Sequence, residues 1–108
     1  MNSVNKVHLT GQLENQPEIR TFQNGNKVAR FSLSTREEFT DPQGQQRSNT
    51  QWHFITAWGS LAERVGEELE KGSKVSIEGR LVTKNYTDRK SGLRKYVTQV
   101  EANVFEIR

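Results

Sequence analysis

The chain has 108 residues, 31% of them apolar, and carries a net charge of +3, which describes one domain with a thin core. It has no cysteine, which excludes a disulfide framework, a thiol nucleophile and a cysteine-ligated zinc. It has no run of about 18 apolar residues, which excludes a membrane-crossing helix, and the opening Met1–Lys6 lacks the apolar stretch of a signal peptide. These features point to a cytoplasmic location. Leu, Ile, Val and Phe together number only 25, so a shared apolar surface between subunits is expected.

Val7, Leu9 and Leu13 alternate through Gly11, the pattern of a strand with a bend. Gln16-Pro17-Glu18 breaks it, and Asn24-Gly25-Asn26 is a tight-turn signal. Ala29, Phe31, Leu33 and Thr35 alternate with Val28, Arg30, Ser32 and Ser34, which predicts a second strand, half buried. Asp41-Pro42-Gln43-Gly44 is a polar loop tip. Thr50 to Trp58, rich in aromatic and β-branched residues, predicts a third strand. Ser60 with Glu63 three residues later has the form of a capping box. Leu61, Val65 and Leu69 then share one helix face, and Gly72 ends the helix. Val75, Ile77 and Leu81 mark a fourth strand, Asp88 to Gly92 a loop, and Tyr96 to Val104 a fifth strand. This order matches an all-β, five-stranded Greek-key barrel, the OB-fold. One short helix lies between strands three and four, and residues 1–108 form a single domain.

Catalytic constellations are missing. His8 and His53 lie far apart in the chain with no acidic cluster at ligand spacing, so no metal is expected. No Gly-x-x-x-x-Gly-Lys loop, no Gly-x-Gly-x-x-Gly and no Gly-x-Ser-x-Gly elbow occurs. Neither an enzyme nor a cofactor is expected, and binding is the stronger reading.

Residues 73–96 hold seven bases against two acids, and such a localised stripe suits a polyanion partner. Strand parity sharpens this. In the fourth strand Val75, Ile77, Gly79 and Leu81 form the core face, which places Lys74, Arg80, Lys84 and Tyr86 outside. An aromatic ring with cations on the outer face suits stacking on bases with phosphates alongside. The third strand admits two assignments. Hydrophobicity puts the face of Trp52, Phe54 and Trp58 inside. The narrow interior of a small barrel argues for Ile55 and Ala57 instead. Phe39 continues the parity of Phe31 and Leu33 but falls beside the polar loop, so core and exposed positions both remain open.

Asn5-Lys6-Val7-His8-Leu9-Thr10-Gly11, Pro17-Glu18-Ile19-Arg20 followed by Asn24-Gly25, and Val28 to Thr35 resemble the opening half of bacterial single-stranded DNA-binding proteins. Thr50-Gln51-Trp52-His53, Leu61-Ala62-Glu63, Lys71-Gly72-Ser73, Ile77-Glu78-Gly79-Arg80-Leu81 and Tyr86-Thr87-Asp88 follow in that family's order. The resemblance implies base stacking at Phe39, Trp52, Trp58 and Tyr86. It implies a homotetramer with His8 and His53 near subunit contacts, and roles in replication, recombination and repair. Phe54 stands where the family often has a basic or polar residue, and Ser60 where a lysine is common. Family members usually continue into a disordered tail with an acidic, Phe-ended tip. This chain stops at Glu106-Ile107-Arg108, so recruitment through such a tail is not assigned to it, and replication and repair proteins stand as candidate partners from the resemblance alone. A primosome-type adaptor or an RNA-binding module on the same fold are the alternatives.

Overall fold

Period-two alternation builds one sheet that curls until its first strand meets its third. The computed structural model describes residues 2–108. Its elements are β1 (Val7–Leu13), β2 (Glu18–Thr21), β3 (Lys27–Thr40), β4 (Gln46–Trp58), α1 (Ser60–Glu68), β5 (Lys74–Thr87) and β6 (Arg94–Ile107). The strand order is β1-β5-β6-β4-β3-β2. The barrel closes where β1 also meets β3, at Gln12↔Ser34 and Leu13↔Leu33. β4 and β6 run parallel through Ile55↔Val100 and Thr56↔Glu101, and every other pairing is antiparallel.

The five predicted strands are β1, β3, β4, β5 and β6, and the fold is the OB-fold barrel. β2 is an addition. It resumes the path of β1 along β3 after the break at Pro17. Across that break the Asn15 side chain accepts from the Ser32 amide at 2.8 Å, so a strand donor stays satisfied without strand geometry.

Inside the barrel, Phe31, Leu33, Ile55, Ala57, Val75 and Ile77 are buried. Burial of each Leu or Ile side chain stabilises the fold by about 1.5–3 kcal/mol. Ala62, Val65 and Leu69 of the α1 segment join the same cluster and close one end. The seam needs a glycine. A Cβ on Gly11 would run into the Ser34 carbonyl, because β1 crosses β3 there at backbone distance.

The start of α1 differs from the expected capping box. The N-cap is Gly59, with φ of 64° and no side-chain cap, and Ser60 is already helical. Gly59 still belongs to the sheet, since its N–H donates to the Lys27 carbonyl at 2.9 Å. The chain must therefore turn sharply between strand and helix, and a left-handed glycine does that. Glu63 instead pairs with Lys27 at 3.0 Å.

Two hairpins outgrow the barrel. β3–β4 pairing continues to Thr40↔Gln46, and β5–β6 pairing to Thr87↔Arg94. The radius of gyration is 16.4 Å, against about 13 Å for a compact chain of this length. Leu81 was expected in the core but is 50% exposed. It keeps the core parity, yet β5 has by then left the barrel and no opposing wall remains.

An aspartate holds each arm tip. Asp41 accepts from the Gln43 and Gln45 amides and from Arg47 at 2.9 Å. Asp88 accepts from the Lys90 amide at 2.9 Å and pairs with Lys95 at 3.2 Å. The Arg47 hydrogen bond, then the Gln45 amide, hold the Asp41 carboxyl below its ordinary range. The Lys90 amide, then Lys95, do the same for Asp88. A depressed folded-state pKa means that this tip order is fully present above the ordinary carboxylate pKa. It is lost as pH falls through the lowered folded value. The protection factors of the Gln45 and Lys90 amides, measured by NMR against the intrinsic exchange rate at each pH, are expected to fall toward unity in acid while the Ile55 and Ile77 amides stay protected. Uniform protection at both tips at low pH would contradict the assignment.

Candidate nucleic-acid interface

β4 resolves its two possible assignments through side-chain size. Ile55 and Ala57 are 1% and 0% exposed, whereas Trp52 and Phe54 are 62% and 61% exposed and Trp58 is 39% exposed. The small side chains fill the narrow interior and the rings form an outer wall, so the assignment from hydrophobicity alone does not hold. Ser34 and Ser32 lie opposite Trp52 and Phe54 on β3. These short partners leave the ring faces uncovered.

Phe39 and Tyr86 stand on the arms. Phe39, opposite Arg47 near the tip of the β3–β4 arm, is 49% exposed. Its parity is opposite to that of Trp52, so the two rings sit on different faces of that ribbon. Tyr86, opposite Lys95 on the β5–β6 arm, is 51% exposed.

Phe22 is a ring that the sequence reading did not single out. It stacks on Trp58 with centroids 6.1 Å apart and planes 12° apart. Arg20 lies over Phe22 at 5.1 Å, and Lys84 lies over Trp58 at 5.5 Å. The result is a ladder of cation, ring, ring and cation. Stacking and cation–π terms of about 0.5–1.5 and 0.5–1 kcal/mol fix the Trp58 plane before any ligand arrives. The signal was present in the Asn24-Gly25 turn, because a tight turn implies a strand on its N-terminal side as well.

The three cations predicted on the outer face of β5 are separated. Lys84 reaches the Trp58 ring. Arg80 pairs with Glu101 at 3.4 Å, which neutralises part of its charge. Lys74 keeps the expected parity but lies at the far end of β5, opposite Gln12, and so is not beside Tyr86. At roughly 3.3 Å per residue the strand is long enough to part them completely. Lys74 instead borders a groove with Arg36, Ser34, Thr50 and Arg108. A row of cross-strand neighbours, Arg30, Thr56, Glu101 and Arg80, crosses the wall between Phe54 and Trp58.

The two histidines occupy different settings. His8 is exposed on β1 opposite Glu78. His53 is half-buried, and its Nε2 lies 2.9 Å from the Thr35 hydroxyl. Among the described residues no group of three or more His, Asp or Glu side chains is placed to hold a metal ion. Among them, no helix is long and apolar enough to cross a membrane.

Known proteins share this fold and much of this sequence. Over 97 residues, 90% of this chain, the sequence is 45% identical to Single-stranded DNA-binding protein 1 of Chlorobaculum tepidum. The chain spans 60% of the length of that relative. The fold superposes on Plasmodium falciparum SSB in complex with ssDNA with a TM-score of 0.91 at 28% identity, covering 100% of this chain and 97% of that one. A deletion mutant of the single-stranded DNA binding protein from Thermus aquaticus gives a TM-score of 0.85 at 31% identity, covering 97% of this chain and 50% of that one. Residues 4–108 match the Single-strand binding protein family, and on that match the chain belongs to that family.

Proposed function

We propose that this domain binds single-stranded DNA without sequence preference, in the service of replication, recombination and repair, and without catalysis. The observation that carries the reading is the outward wall of Trp52 and Trp58, with Lys84 poised on the Trp58 ring. A ring face accepts any base, and a cation beside it meets the phosphate that follows. Phe39 and Tyr86 extend stacking onto the arms. Lys84 and Lys74 contact phosphates, and Arg80 joins them once phosphate replaces Glu101. The relative named for single-stranded DNA and the neighbour solved with ssDNA support this.

Assembly follows from the open edges. Among the described residues the β1 edge away from β5 is unpaired from Val7 to Gly11, and an open edge of this length favours pairing with a second copy. A homotetramer places His8 and His53 near its contacts and supplements the thin core. Sedimentation is expected to give about 50 kDa, four chains of 12.4 kDa. The cytoplasmic nucleoid is the location that such a ligand implies.

Quenching of Trp fluorescence by poly-dT, poly-U and duplex DNA tests the reading. Tight binding to poly-dT, weaker binding to poly-U and little to duplex is expected, because paired bases hide their faces. Equal affinity for duplex and single strand at one salt concentration would refute stacking, and preference for poly-U would make the partner RNA. Lys84→Ala is expected to flatten the slope of log affinity against log salt by about 0.7, one single-strand phosphate contact. Arg80→Ala changes it less, since Glu101 already screens that charge.

A further inference from the structure

We infer that the groove beside Phe54 is a separate nucleotide subsite, with a base on the Phe54 ring and its phosphate on Arg30. The inference rests on the single-strand reading above and deepens it. β4 and β6 pair only at Ile55↔Val100 and Thr56↔Glu101. Toward the arms they part, and a groove of about 400 Å³ opens between them. That volume lies within the range of small-ligand clefts, about 300–1,000 Å³. Phe54, Ser32 and Arg30 line one side, Val97 and Gln99 the other, over a floor that includes Ile55.

Three properties of this groove suit a nucleotide. The Phe54 ring is 61% exposed and lies on the Trp52 and Trp58 side of β4. Alternate residues of a strand are about 6.8 Å apart, twice the roughly 3.4 Å rise between stacked bases. The two rings are therefore about two stacking steps apart, so a base can sit on each without colliding with the other. Arg30 makes no ion pair among the described residues. Glu18, the one acid lining the groove, is in register with Arg30 but is not bonded to it. Next to the groove, Thr56 is 4% exposed and its hydroxyl has no partner among the described residues. The Gln99 amide offers both a donor and an acceptor for a base edge.

The experiment compares Phe54→Leu, Phe54→Trp, Trp58→Ala and the parent protein by fluorescence anisotropy. The ligands are labelled oligo-dT and an abasic oligonucleotide of equal length. Leucine keeps the apolar bulk and removes the π-face. Phe54→Leu is expected to weaken oligo-dT binding about 5- to 100-fold, with an unchanged salt slope and no effect on the abasic strand. Phe54→Trp is expected to bind oligo-dT like the parent. If Phe54→Leu matches the parent while Trp58→Ala is weakened, the subsite is refuted and the single-strand reading stands. If neither variant differs from the parent, the stacking reading itself fails. A Phe54→Leu protein that sediments as a smaller species assigns the ring to a subunit contact and overturns the inference.

Discussion

Alanine at both Trp52 and Trp58 is expected to weaken oligo-dT binding by about 2–6 kcal/mol, roughly 30-fold to more than 10,000-fold, with an unchanged salt slope. Each ring contributes about 1–3 kcal/mol of stacking. The two sites are six residues apart on one strand, roughly 20 Å, so their effects add. Neither ring belongs to the buried cluster, which means the double variant retains its fold. Trp58→Ala does forfeit the Phe22 stack, a stability loss of about 0.5–1.5 kcal/mol. Anisotropy titrations at several salt concentrations, with far-ultraviolet circular dichroism as the folding control, measure all of this. Parent-like affinity in a folded double variant would remove the wall from the binding path. Unfolding would show that the rings support the core after all.

Gly11→Val is expected to cost at least about 3 kcal/mol of stability, at the upper end of overpacking effects. A domain of this size holds about 5–15 kcal/mol in total. The cause is local and geometric. A Cβ at Gly11 collides with the Ser34 carbonyl, a backbone atom that cannot rotate away. Relief requires β1 to leave β3, which strains the Gln12↔Ser34 and Leu13↔Leu33 pairing and the Glu14 N–H bond to the Ser32 carbonyl that close that side of the barrel. Gly44→Ala is the control. Its φ of 79° carries strain, but no atom lies within 4 Å of the added carbon, so a loss of about 1 kcal/mol is expected. Urea denaturation of the two variants should separate them by a large shift in midpoint. Similar midpoints would mean that the seam is soft.

Both predictions depend on which residues face inward, and this was only partly legible in the chain. The alternation of Phe31, Leu33, Ser32 and Ser34 determines the β3 faces by itself, because parity is a local property. In β4 the same local rule left two candidate faces, and hydrophobicity favoured the wrong one, that of Trp52, Phe54 and Trp58. The width of the closed barrel chose between them, and that width depends on strands distant in sequence.

The helix start was misread for a related reason. Ser60 and Glu63 have the spacing of a capping box, but the cap position is set by where β4 releases the chain. The Gly59–Lys27 backbone bond holds the sheet one residue short of that box. Leu81 shows the converse. Its parity was right, yet parity does not record where the barrel wall ends.

The sequence by itself determined the succession of the five barrel strands, the single helix, the outward parity of Lys84 and Tyr86, and the concentration of bases in residues 73–96. All of these follow from residues within a few positions of one another, where side-chain direction and turn chemistry act. The tertiary structure alone decided the rest. It placed Phe22 on Trp58, Lys84 on the same ring and Arg80 on Glu101, and it parted Lys74 from Tyr86. It also opened the groove beside Phe54 where β4 and β6 diverge. Each of these joins strands far apart in the chain, and their geometry is set by the closure and curl of the sheet, which no local pattern encodes.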